Sequence, residues 1–165
     1  MVMSSGISNE DVKQTESKKF YDLIIATIDY HLESPSARIK TDAFDSDEHY
    51  ESLKKQTLEH YNNGRLTKLK QWFRDLTEMH IEARDLKFNK YLQNKTGYDV
   101  SIFEDYFKRV EKIVEKGKIT TNNQFFDISI MVDQLCSEQN TESGRIHILN
   151  QLLTAYEIKK SKTSS

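Results

Sequence analysis

The chain is poor in everything that turns or staples a backbone. Its 165 residues include one proline, five glycines and one cysteine. Sandwiches and barrels need many turns, and turns draw on glycine and proline, so this shortage argues against an all-β architecture. A single cysteine permits neither an internal disulfide nor a cysteine-based zinc site. That residue, Cys136, lies in an apolar segment with no cationic neighbour in sequence. It is therefore expected to be a buried, unreactive thiol. Long apolar runs are missing too. Leu23-Ile24-Ile25-Ala26 is the longest, far short of the ~20 residues that span a bilayer. Met1 to Ser17 is polar and has no apolar signal core. The expectation is a soluble cytoplasmic protein with no membrane partner.

Catalytic signatures are equally scarce. No Gly-x-Gly and no Gly-Lys-Ser/Thr occurs, so neither a dinucleotide fingerprint nor a P-loop is present. His-Glu-x-x-His and Glu-x-x-His are both absent, which weighs against a zincin or a di-iron bundle. The acidic patch Asp45, Asp47, Glu48, His49 and Glu51 lacks the glycine and the ligand ladder of an EF-hand. It reads as a helix start enriched in acid to complement the dipole. No cofactor and no metal are expected.

Helical periodicity is what the chain does contain. Residues 1–17 and 159–165 are expected to be disordered polar tails, and residues 18–158 one helical bundle domain. A first helix is expected from Lys18 to Glu33, where Phe20, Leu23, Ile24, Ile25, Ile28 and Leu32 are spaced mostly by three and four before Ser34-Pro35 stops the run. Asp45 is placed to cap a second helix, which Asn62-Asn63-Gly64 ends. From Arg65 to Thr96 there is neither glycine nor proline. Leu69, Leu76 and Ala83, and beside them Trp72, Met79 and Leu86, recur every seven residues. This predicts one long central helix, about 65–95, with a second apolar stripe at Ile81, Phe88 and Leu92. Ser101-x-x-Glu104 and Thr121-x-x-Gln124 fit capping boxes for two further helices. A last helix is expected from near Asn140 or Thr141. The fold class is all-α, a single-domain bundle of five or six helices.

Charge is uneven. The net charge is −2, made up of −5 over residues 1–63, +4 over 64–118 and −1 over 119–165. Arg65, Lys68 and Arg74 are the candidate binding cations of the basic middle. Phosphate binding uses such residues, although Trp72 and Phe73 fall on the apolar seam and are expected to pack rather than stack on bases. Lys108, Arg109, Lys112, Lys116 and Lys118 form a second cluster, diluted by nearby acids.

The segment Arg74-Asp75-Leu76-Thr77-Glu78-Met79-His80 is similar to the arginine, polar residue, short spacer, histidine signature of HEPN-type ribonucleases. These are small all-helical domains that usually act as dimers. The resemblance covers seven residues. It lies mid-chain, whereas the family usually carries the motif nearer the C-terminal end of the domain. It implies metal-independent RNA cleavage, with His80 as acid/base, Arg74 stabilising phosphate charge and Asp75 orienting them. The residues themselves favour a different reading, a non-enzymatic helical module. It would bind a protein partner or self-associate, with nucleic-acid binding through residues 64–118 as the alternative.

Overall fold

A computed structural model describes residues 6, 8–138 and 142–163. Seven α-helices run along it: α1 (Asn9–Glu33), α2 (Ser46–Asn62), α3 (Leu66–Glu82), α4 (Leu86–Thr96), α5 (Glu104–Lys116), α6 (Asn122–Ser137) and α7 (Ser143–Thr163). A short 3-10 turn at Pro35–Ala37 follows α1. No strand occurs among the described residues; an isolated bridge joins Lys40 to Asp45. The all-α class holds, with more helices than the five or six expected. The chain divides into two compact units, Met1–Val100 and Ser101–Ser165, each described by itself.

In the first unit α1 packs against α2, α3 and α4. Its apolar residues spread widely around the axis, so it buries Leu23, Ile24, Ala26, Thr27, Ile28 and His31 against several neighbours. The helix starts at Asn9, capped by Ser8, whose hydroxyl accepts the Asp11 amide at 3.1 Å. Residues 9–17, read from sequence as part of a tail, are thus the first turns of α1.

The long central helix is corrected in two respects. Residues 65–95 form two helices, and the centre of the unit is α1. The break falls at Ala83-Arg84-Asp85. Arg84 takes the left-handed conformation with φ 54°, and the Asp85 amide donates back to the His80 carbonyl at 2.9 Å. Left-handed geometry costs a non-glycine residue roughly 1–2 kcal/mol. Asp85 offsets it by capping α4, its Oδ1 accepting the Phe88 amide at 3.3 Å. The buried face of α3 is Leu69, Phe73, Thr77 and His80. Met79, placed on the seam by the heptad reading, is 57% exposed.

In the second unit α6 packs against both α5 and α7. Its buried side chains include Tyr106, Val110, Ile113, Ile128, Met131, Leu149 and Leu152. Full burial of each such residue is worth about 1.5–3 kcal/mol. The carboxylate of Asp127, 3% exposed, is neutralised by Arg109, whose Nε and Nη2 donate to its two oxygens at 3.1 and 3.4 Å. Thr121 caps α6 as expected, accepting the Gln124 amide at 3.1 Å. α5 departs from expectation: Phe103 occupies its cap position and provides no side-chain bond. α7 begins at Ser143, while the expected starts Asn140 and Thr141 lie outside the described residues. It continues to Thr163, through most of the stretch read as a C-terminal tail. Cys136 is exposed, which corrects the expectation of a buried thiol: its helix turns this position away from the packed face carrying Ile128 and Met131.

Candidate functional site

The break between α3 and α4 builds the most concentrated polar constellation of the first unit. α1 ends beside it, which brings His31 to His80 with their Nε2 atoms 3.2 Å apart. Both rings are buried, 5% and 8% exposed. His80 Nδ1 lies 3.4 Å from Asp85 Oδ2, and the same oxygen accepts the Tyr30 hydroxyl at 3.1 Å. Flat contacts clamp the two imidazoles. His31 stacks on Tyr50 of α2 at 5.0 Å and 7°; His80 stacks on Phe88 of α4 at 3.9 Å and 16°. Tyr30 meets His80, Phe88 and Tyr91 edge-on.

Elementary hydrogen-bond accounting assigns the protons. The carboxylate of Asp85 only accepts, so His80 Nδ1 carries a hydrogen. The neutral His80 then has a bare Nε2, and His31 must donate to it from its own Nε2. Burial lowers the pKa of both histidines; for His31 the charge of His80 lowers it further, whereas for His80 the adjacent Asp85 opposes the fall. Two imidazolium charges with ring centres 5.0 Å apart would repel by about 3 kcal/mol at an effective dielectric of ~20. The surrounding phenols are held neutral. Burial, then Asp85, raises Tyr30; burial raises Tyr50. Burial, then Glu33, pushes Tyr91 up to about 12.

The residues singled out by sequence are placed differently. Arg74 and Asp75 are exposed on α3, six positions or fewer from His80 but on other faces of the helix. The structure therefore gives His80 the partners His31 and Asp85, and does not bring Arg74 beside it. Arg65 and Lys68 are exposed together at the start of α3. Arg65 Nη1 lies 3.4 Å from His60 Nδ1, and the His60 ring meets Trp72 edge-on at 4.8 Å. Desolvation, then the charges of Arg65 and Lys68, lowers the His60 pKa. The acidic patch at the start of α2 is used locally. Asp45 caps the helix, accepting the Asp47 amide at 2.9 Å, and Asp47 pairs with Arg38 at 3.7 Å. No cluster of three metal-ligating side chains occurs among the described residues.

Sequence reasoning missed His31 and Asp85. His31 stands 49 residues before its partner, and no local pattern joins them. Asp85 carried a readable signal, an aspartate three before Phe88 that can cap a helix start, but the absence of glycine and proline masked it. The chain matches no protein-family model, no curated protein and no solved structure.

Proposed function

We propose that the protein works without chemistry of its own, by binding another protein or a second copy of itself. The observation that carries this reading is a row of exposed side chains on α7 that includes two isoleucines. Leu149 and Leu152 bury one side of the helix. Ile148 and Ile158, 49% and 50% exposed, stand with Gln151 and Ala155 along another, at the 3,4-spacing of a helix–helix seam. A shallow depression of about 470 Å³, lined by His147, Asn150, Gln151, Thr154, Ala155 and Ile158, lies along it. A surface helix usually keeps one apolar stripe and a polar remainder; exposed apolar side chains aligned along a further face are a candidate contact row. Small side chains at Thr154 and Ala155 allow a partner helix to approach closely.

Light scattering and a pull-down from the native cell test this reading together. With the intact chain, an oligomer or a captured protein is expected. The double variant Ile148→Asp, Ile158→Asp should lose either one while keeping its helical circular dichroism. A strict monomer at high concentration that captures nothing, or capture indifferent to both aspartates, would sink the proposal.

A second reading, nucleic-acid binding, draws support from the exposed Arg65, Lys68 and Arg74. Arg65 and Lys68 share one end of α3, whereas Arg74 is on a different face, so phosphate contacts would fall mainly to the first two. Affinity for RNA or DNA that declines steeply with salt would favour it. The HEPN-like reading has the least support, because Arg74 is exposed and His80 is buried against His31.

A further inference from the structure

We propose that the His31–His80 pair is an acid-sensitive latch, which holds the end of α1 on the α3–α4 elbow while it carries at most one positive charge and releases it when a second proton arrives.

The geometry defines what each proton does. In the neutral pair, His31 Nε2 donates to His80 Nε2 across 3.2 Å, and His80 Nδ1 faces Asp85. The first added proton is accommodated without moving a ring. It enters at His31 Nδ1, the hydrogen on His31 Nε2 passes to His80 Nε2, and the hydrogen bond reverses. His80 is then the cation, donating to Asp85 on one side and to His31 on the other. The second added proton has no such place. Both Nε2 atoms would bear hydrogens and point at one another, at a separation that admits only one. The rings must part.

The surrounding groups do not relieve this. From α1, Tyr30 donates its hydroxyl to Asp85, and Glu33 is engaged by the Tyr91 hydroxyl at 3.2 Å and by Lys95 at 3.9 Å. From α2, Tyr50 stacks on His31, and His49 meets the Tyr50 ring edge-on. From α4, Phe88 and Tyr91 supply rings. Asp85 is therefore the carboxylate against the pair, and it faces His80, not His31. The element it biases is the elbow: Arg84 is already held in a left-handed conformation there, and Asp85 is both the partner of His80 and the cap of α4. Parting the rings loads the residue that caps the start of α4. The latch lies within the first unit and does not depend on the α7 reading.

The test is a ¹⁵N titration of the imidazoles in the full chain from pH 7.5 to 4, with native-state hydrogen exchange corrected for its intrinsic pH dependence. The expected result is linked titration: both Nε2 signals shift at one midpoint below 6.5, as the pair takes up a single proton. On further acidification, amides at residues 80–88 and in the last turn of α1 should exchange at least tenfold faster, while those of α5 do not. His80→Gln keeps a hydrogen-bonding partner for His31 but cannot become charged, so its elbow should stay closed through the same range. If that variant does not fold, His31→Gln makes the same comparison from the other helix. Two independent midpoints near 6.5 would overturn the proposal. So would elbow opening that persists unchanged in the glutamine variant.

Discussion

Buried hydroxyls show how closely single residues obey local rules. Thr27, Thr57 and Thr77 are all buried, and each donates to the carbonyl four residues earlier, at 2.8, 2.6 and 2.7 Å. Ser17, 3% exposed in α1, makes no such bond; its Oγ is buried with no partner. An unsatisfied buried hydroxyl costs about 1–3 kcal/mol, and alanine is also the better helix former. Ser17→Ala should therefore stabilise the protein by about 1 kcal/mol, read as a higher urea midpoint at unchanged m. A lower midpoint would mean that the hydroxyl is satisfied. Legibility at this scale tracked locality. The caps at Asp45 and Thr121 each depend on a bond spanning two or three residues, and both were readable. The partner of His80 is 49 positions away and was not. Cys136 failed for a related reason: apolar neighbours in sequence say nothing about which way a single position points.

Left-handed helix ends were legible where glycine formed them and illegible where Arg84 did the same work. Gly64, Gly97 and Gly117 all adopt positive φ, at 65°, 76° and 72°, and each ends a helix at or within two residues of its expected stop. Gly117 has open space where a side chain would go, so substitution there isolates backbone strain. Gly117→Ala should destabilise by about 1–2 kcal/mol, measured by denaturant unfolding; no loss would show that the left-handed turn is not required. Arg84 performs the same turn with a side chain, and this is why one predicted helix became two. The heptad pattern through residues 69–86 did not imply straightness. Leu69, Phe73 and His80 are buried, whereas Met79 faces outward. The seven-residue period therefore described a band wider than the contact face of α3.

At the scale of the molecule, acid should weaken the fold, and the sign follows from burial. His31 and His80 have folded-state pKa values below the ordinary 6.5. Between those values and 6.5 the unfolded chain binds more protons, so stability rises with pH there. It is complete above 6.5 and declines as pH falls through the folded values. His60 shifts in the same direction and adds less, being half-exposed. Urea unfolding at pH 7.5 and 5 should show the decline, smaller in His80→Gln; a flat profile would contradict the burial of the pair. What the sequence determined by itself was the class and the punctuation. Scarce glycine and proline, apolar spacing of three and four, and local capping residues suffice for all-α structure, because each acts within one or two turns of chain. Which helix is central, where the long run bends, and which polar residues meet were decided only by tertiary packing. α1 became the strut because its apolar residues face three neighbours at once. The histidine pair exists because packing, not sequence distance, sets which side chains share a dry space.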